Sequence, residues 1–408
     1  MDRIAQQYDV VIVGAGLVGL SLALALSDAP FSVALLERNW PDFATQSPQY
    51  HRPISLSYAS YQILTTLGVT AQLADVAMPI ERVVVSEQGV FGQLSFDARL
   101  LDLAMLGMVV PYGALLQQLY QSVLDKGHVQ LLQIEGIDGI ERDQSGLIVH
   151  THQQGRAHSL HGRTVVGCDG SDSTVRQLAG ISNHVTATHM QALTAQLRLD
   201  RPFGATAYQR FNKNGIFALL PLHDQRRCGL VVSAPADFLE TLTTDDQLLA
   251  AVRSSFGRRL AGCIGVERGA SYPLRTSTAA VQYEAGVLLL GNAARTVYPL
   301  AAQGFNLGLR DVAVCAERLA GLYRDQGVVG SDRLFADFVS ERRDDQQSVT
   351  TLTRGISHLF SHGPPGASVM RGLGLLALDL AVPAKRLLAR RLTGMQLPPM
   401  MVFEKLSW

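Results

Sequence analysis

An excess of charge of either sign is what this 408-residue sequence most plainly lacks. Its 35 lysines and arginines balance 35 aspartates and glutamates, and only 17% of its residues are charged. With no net field to gather phosphate polymers, nucleic acid is not expected as a partner. Cysteine is scarce as well. Cys168, Cys228, Cys263 and Cys315 lie far apart without C-x-x-C spacing, which argues against a zinc knuckle, a redox dithiol or a disulfide framework. Reduced, buried thiols in a cytoplasmic protein fit that pattern. The eleven histidines show no ligand spacing, so no metal site is expected. Uninterrupted apolar runs of membrane length are also missing. Residues 10–29 hold almost no polar side chain, but Asp9 precedes them, three glycines punctuate them at fixed spacing, and no basic leader frames them. Residues 372–384 are short and broken by Asp379 and Pro383, so no membrane span is predicted.

Apolar side chains are plentiful, at 47% of the residues. That composition supports a large core or an apolar cavity, and the length points to two domains with a small third element. Residues 8–13 are a β-branched run, 17–27 an apolar helical pattern and 32–36 a second buried run, so the chain opens as a β-α-β unit of a parallel sheet. Helices are read over 54–67, 112–124 and 245–256. Strands are read over 83–86, 129–134, 147–151, 164–166 and 287–290. Between 187 and 233 the pattern alternates, with strands at 194–199, 207–211, 216–220 and 229–232, pointing to an inserted antiparallel sheet. A long helix starts near Gly304, and helical patterns dominate from Phe335 onward, interrupted at Gly363-Pro364-Pro365-Gly366.

Gly14-Ala15-Gly16-Leu17-Val18-Gly19 falls between the first strand and the first helix, and Glu37 ends the second strand about twenty residues later. Gly14 permits a tight turn, Gly16 lets the backbone approach a pyrophosphate, and Gly19 lets helix and sheet pack closely. The helix N-terminus faces the negative charge. Glu37 is placed to accept hydrogen bonds from a ribose and disfavours a 2′-phosphate, so the site suits FAD or NAD rather than NADP.

Two further segments narrow the choice. Residues 165–176 contain Asp169-Gly170, Ser173 and Arg176. Residues 291–294 are Gly291-Asn292-Ala293-Ala294, followed by Pro299, Gln303-Gly304 and Asn306. Together with the N-terminal fingerprint they resemble the three signatures of the FAD-dependent aromatic hydroxylases, the p-hydroxybenzoate hydroxylase class, over about three hundred residues. The segment 304–311 and His358-Leu359-Phe360 are most similar to the ubiquinone-biosynthesis hydroxylases, in particular the 2-polyprenyl-6-methoxyphenol branch (UbiH type).

The resemblance implies an α/β fold: a Rossmann-like FAD-binding domain, an inserted antiparallel β-sheet substrate domain and a helical C-terminal segment. The first would comprise residues 1–75, 100–180 and 270–340, the second 76–99 and 181–269, the third 341–408. It implies FAD as cofactor, NAD(P)H as reductant and O2 as co-substrate, with a polyprenyl phenol hydroxylated through a flavin hydroperoxide. Such chemistry needs positioning and desolvation rather than a protein nucleophile. Proteins of a ubiquinone-biosynthesis complex are implied partners, and a cytoplasmic location with at most peripheral membrane contact is expected.

Carried onto this sequence, the resemblance assigns Gly14, Gly16, Gly19, Glu37, Arg52, Gln117, Asp169, Gly170, Gly291, Asn292, Gly304 and Asn306 to cofactor binding. Tyr298, Pro299, Gln303 and Gly304 fall on the reactive, flavin side of the pocket. A helix opening near Gly304 points free backbone N–H groups at the anionic end of a reduced flavin. Asn292 replaces the usual Asp and marks the polyprenyl-methoxyphenol branch. Arg295 and Ala302 replace the usual His and Gly, for which the sequence supplies no reason. They leave open a structural-FAD scaffold within a biosynthetic complex, and the same FAD grip would also serve a flavin dehydrogenase or prenyl reductase without oxygen insertion.

Tyr208, Arg210 and Phe217 are further candidates for the pocket, although a packing role in the sheet is as natural for Tyr208 and Phe217. His189 is a candidate phenol base, set against an ordinary exposed histidine. Lys385, Arg386, Arg390 and Arg391 interleave with Leu387, Leu388 and Leu392 as in a basic amphipathic helix that could meet a membrane or a lipid-carrying partner, or lie solvated on the protein.

Overall fold

The computed structural model describes residues 6–43, 48–260, 262–298, 303–361 and 367–395. Its first sheet grows from Gln6–Val13, where Val10, Val11 and Ile12 are fully buried, as in a parallel strand covered on both faces. This strand pairs in parallel with Val33–Glu37 on one side and Arg156–Gly167 on the other. Val129–Gln133 and Val287–Leu289 extend the sheet outward. Strand order therefore reverses at Gln6–Val13, which opens a crevice beyond its carboxyl end. Leu17–Ala25 is apolar all round and almost wholly buried, packed against the helices Tyr112–Lys126 and Gln303–Gln326.

The second sheet runs in the order Arg295–Thr296, Cys263–Ala279, Asn183–Leu199, Arg227–Pro235, Gly215–Pro221, Thr206–Asn212, Arg82–Glu87, Gln93–Asp97. All its pairings are antiparallel except that of Thr206–Asn212 with Arg82–Glu87. The alternation read between 187 and 233 thus forms the expected antiparallel sheet. Leu193, Ala195, Leu197, Phe217, Leu219, Leu230 and Val232 face the helix Asp245–Phe256, whose Thr244 and Gln247 form a reciprocal capping box. On the opposite face Phe211 packs with Tyr298.

A three-stranded antiparallel sheet joins Pro53–Ser57, Gly107–Pro111 and Met78–Ile80. Here the expected helix over 54–67 is corrected. Residues 53–57 pair as a strand, and the helix Tyr58–Thr66 begins only after Ser57, whose hydroxyl accepts from the Ser60 amide. The C-terminal part holds the helices Asp332–Ser361, Ala367–Leu380 and Val382–Leu392, and the Gly-Pro-Pro-Gly breaker lies outside the described residues. Among the described residues no single helix is long and apolar enough to cross a membrane; the last two meet at 94°.

Candidate active site

The crevice at the end of Gln6–Val13 is shaped by what a side chain would strike there. Gly14 has φ +99°, and a Cβ on it would come within 2.7 Å of the Cys168 carbonyl oxygen; one on Gly19 would meet the Gly14 oxygen at 1.9 Å. Both positions therefore accept glycine alone. A Cβ on Gly16 meets nothing within 4 Å, so the space above this helix N-terminus is open, and the first turn of Leu17–Ala25 carries no acidic residue. Glu37 accepts from the Ala15 amide at 2.6 Å and the Asn39 amide at 2.8 Å. Its carboxylate is thereby pinned to the glycine loop with lone-pair directions to spare.

Across the crevice, Asp169 Oδ2 accepts from the Val175 amide at 3.0 Å, while Asp169 Oδ1 is buried with no hydrogen-bond partner in the protein. Gly170 turns the chain with φ +88°. Arg176, only 4% exposed, donates to the carbonyls of Ala293 at 2.9 Å and Ser171 at 3.0 Å, which fastens this loop to Gly291–Ala293. Gly291 and Gly308 both lie against Val18, where a Cβ on either would approach Cγ2 to within 3.0 Å. The three sequence signatures are thus brought to one place. Asn292 is exposed on its turn.

Arg52 stacks its guanidinium 4.2 Å from the centre of the Tyr112 ring, and its Nε is buried without a partner. Burial raises the Tyr112 phenol and the Arg52 charge opposes it. Gln117 lies exposed on the second turn of Tyr112–Lys126. Asn306, expected beside the cofactor, turns its amide elsewhere: Oδ1 accepts from the Ser57 amide at 2.8 Å and Nδ2 donates to the Ser55 carbonyl at 3.0 Å. It holds the long helix to the strand that follows Arg52. Gln303, at the first turn of that helix, donates to the Leu392 carbonyl at 3.3 Å, and its Oε1 is buried without a partner. Gly304 makes only an ordinary approach to Val297. Pro299 and Ala302 lie outside the described residues.

Tyr298, 9% exposed, joins Phe211, Val85, Ile216, Ile356 and Phe360 in an apolar cluster between the second sheet and the end of Asp332–Ser361. Phe211 and Phe360 stack at 3.7 Å. The expectation that Tyr208, Arg210 and Phe217 line this pocket is corrected by the pleat. Tyr208 pairs with Leu219 and Arg210 with Phe217, so all three share the face toward Asp245–Phe256, where Phe217 is fully buried. Phe211, on the other face, is the residue of this strand that packs with Tyr298 and Phe360. His189 is exposed at an irregularity of the strand Asn183–Leu199, away from this cluster.

A diphosphate-bearing dinucleotide fits these residues: an open helix N-terminus, a pinned acid for a ribose, an orphaned carboxylate oxygen on Asp169 and an orphaned guanidinium nitrogen on Arg52. A family model described as FAD binding domain matches residues 7–353. The chain belongs to this FAD-binding family. Over most of its length it is similar to ubiquinone hydroxylase UbiL of Rhodospirillum rubrum, at 30% identity covering 96% of this chain and 90% of the relative. The 3-demethoxyubiquinol 3-hydroxylase of Escherichia coli K12 is also 30% identical, with 93% and 97% covered. Among solved structures, p-nitrophenol 4-monooxygenase PnpA from Pseudomonas putida DLL-E4 superposes with a TM-score of 0.78 at 18% identity, covering 96% of this chain and all of that one. That likeness establishes the FAD-dependent monooxygenase fold.

The structure of this FAD-binding protein also places residues to which the sequence assigns no role. Arg342, fully buried, donates from Nε to Asp311 at 2.6 Å and from its terminal nitrogen to Asp345 at 2.5 Å, and Arg310 donates to Asp345 at 2.9 Å. Gln346 bridges Asp311 to Gln282. Arg295 lies beside this network. Burial lowers its pKa, the Asp311 charge opposes that and the Arg342 charge adds to it, and its Nη1 is buried without a partner. The signal in the sequence is Arg310-Asp311 inside an otherwise apolar helical stretch. Among the described residues no group of side chains could hold a metal ion.

Proposed function

We propose that this protein is an FAD-dependent monooxygenase that hydroxylates the ring of a polyprenylated methoxyphenol in ubiquinone biosynthesis, with NAD(P)H as reductant and O2 as co-substrate. The observation that carries the reading is one junction. The dinucleotide crevice of the first sheet leads through Gly291–Ala293 to Tyr298, which packs against Phe211 of the second sheet. The full-length likeness to ubiquinone hydroxylases supports the substrate class, and Asn292 supports the methoxyphenol branch.

On this reading the first sheet and its helices carry FAD, and the second sheet carries the substrate. Gly14, Gly16, Arg52 and the N-terminus of Leu17–Ala25 bind the diphosphate, Glu37 the adenosine ribose, and Asp169 a hydroxyl of the chain toward the flavin. When bound, FAD accepts electrons from NAD(P)H and activates O2 for transfer to the ring. Phe211, Tyr298 and Phe360 supply an apolar wall that orients the ring and excludes water from the reacting face. The N-terminus of Gln303–Gln326, with no acid in its first turn, carries positive partial charge suited to the anionic end of a reduced flavin. Contacts with other biosynthetic proteins and with the membrane belong to this reading.

Purified protein is expected to oxidise NAD(P)H faster when a short-chain prenyl methoxyphenol is added, and to place one atom of labelled O2 in the product. Cells lacking the protein are expected to accumulate an unhydroxylated polyprenyl methoxyphenol. Full turnover of that phenol without oxygen would overturn the proposal.

A further inference from the structure

The outer side of the last two helices is an apolar surface with nothing packed on it among the described residues. On Ala367–Leu380 the exposed side chains Val369, Met370, Leu373 and Leu380 recur at helical spacing, Met370 and Leu380 being 70% and 72% exposed. On Val382–Leu392, Val382 and Leu387 continue the exposed surface. Phe91, 81% exposed, belongs to it too, because its carbonyl oxygen would lie 2.3 Å from a Cβ on Gly372. The inner sides are occupied: Leu375, Leu378, Leu388 and Leu392 pack with Leu94 and Phe96. Both helices are therefore already anchored to the second sheet, and the outer apolar residues are surplus to that anchoring.

Charge indicates what covers them. Residues 367–392 carry Arg371, Lys385, Arg386, Arg390 and Arg391 against Asp379 alone, in a chain whose formal charge is zero. Arg371 is paired with Glu87 and Lys385 with Asp379. Arg386, Arg390 and Arg391 are exposed and form no ion pair among the described residues; Arg386 also donates to the Leu100 carbonyl, and Arg390 and Arg391 line an open groove beside Asp344 and Asp345. Together the two helices have the length and hydropathy of a membrane span, but they meet at a 94° bend and neither is long and apolar enough to cross alone. Exposed apolar side chains flanked by exposed arginines and a net positive charge on such an elbow match the interface of an anionic bilayer.

We propose that Phe91 and the outer face of Ala367–Leu380 and Val382–Leu392 form a docking surface for an anionic lipid bilayer. The surface lies next to the apolar cluster, since Arg371 of the same helix stacks over Phe360 at 5.8 Å and Phe360 stacks on Phe211. Resting on the substrate reading above, this placement brings the lipid that carries a prenylated phenol close to the apolar cluster.

The test is flotation of the FAD-loaded full chain with vesicles of phosphatidylcholine alone or with 30% phosphatidylglycerol added. Binding to the anionic vesicles is expected, weakening with salt. Combining Arg386→Gln, Arg390→Gln and Arg391→Gln is expected to lower partitioning by on the order of a hundredfold. Combining Phe91→Ser, Met370→Ser, Leu373→Ser and Leu380→Ser is expected to lower it by about tenfold or more. Both sets are at exposed positions, so flavin content, urea midpoint and turnover of a water-soluble short-chain phenol should stay as in the unaltered protein. Absence of wild-type binding, or undiminished binding by the apolar set, overturns the proposal. A solution dimer that the apolar set dissociates overturns it too, in favour of a second copy on this face. Vesicle binding without phenol turnover would instead refute the substrate reading and leave the surface standing.

Discussion

Arg342→Met and Arg295→Gln each remove one positive charge from the same buried cluster, and they are expected to have very different consequences. Arg342 is fully buried and joins two carboxylates; without it Asp311 keeps only the Gln346 amide at 3.1 Å and Asp345 keeps only Arg310. Truncating one partner of a buried ion pair leaves an uncompensated charge, which costs about 3–5 kcal/mol. Arg295 is in the opposite position. It adds a third guanidinium to two carboxylates, and burial outweighs the attraction of Asp311 and Asp345 so that its pKa is lowered, whereas the two carboxylates outweigh burial at Arg342 and raise its pKa. Its replacement by Gln is expected to change stability by less than about 1 kcal/mol in either direction, the desolvation relieved offsetting the Asp311 attraction lost. Urea unfolding with FAD in excess, so that cofactor loss does not set the midpoint, measures both variants against the unaltered protein. If Arg295→Gln proves as destabilising as Arg342→Met, the charge accounting of the cluster is wrong.

The same network has a pH signature. Burial alone would raise the Asp345 carboxyl, but Arg310 and Arg342 outweigh it and hold it below the ordinary range. For a carboxyl lowered on folding, the contribution is complete above the unfolded value of about 3.9 and is lost as pH falls through the lowered value, so the stability gap to Asp345→Asn should close only below about pH 4. In the crevice, Gly16→Val should leave the apoprotein as stable as before and weaken FAD binding, because its side chain enters open space. Gly19→Ala should damage both, since its Cβ would lie 1.9 Å from the Gly14 oxygen; calorimetry of apoprotein and flavin titration separate the two. Asp169→Asn retains an acceptor for Val175 and removes the charge, so FAD affinity should fall between about tenfold and a hundredfold by fluorescence titration. Phe211→Leu loses the stacked contact with Phe360 and should raise the share of NAD(P)H oxidation that ends in hydrogen peroxide, with flavin content unchanged.

What was legible in the sequence follows from how far apart the interacting parts are. Gly14 and Gly19 constrain each other across five positions, and Glu37 closes onto Ala15 within the same β-α-β unit, so spacing alone exposes the crevice. The antiparallel sheet was equally readable, because each strand alternates by itself. Which of its faces packs against Tyr298 was not. Arg210 and Phe211 differ by one residue and therefore by one whole face, and the choice between them rests on the helix Asp245–Phe256 covering the other side. Alternation shows that two faces exist without naming either.

Asn306 and Arg310 illustrate a further limit, and it bears on how family signatures are read. Both stand inside the segment that most resembles the ubiquinone hydroxylases, where every polar residue invites a role at the flavin. Asn306 instead bonds the backbone of Pro53–Ser57, roughly 250 positions earlier, and Arg310 bonds Asp345 on the next helix. A buried polar side chain that fastens two elements is as costly to replace as one that touches a ligand, since either loss strands a desolvated partner. A signature therefore collects ligand contacts and internal fastenings alike. In this chain the distinction needs both a left-over atom and its place: Asp169 Oδ1 and Arg52 Nε are buried with no protein partner beside the crevice, the Asn306 amide is spent on the backbone, and the left-over Nη1 of Arg310 lies in the ion cluster between two helices.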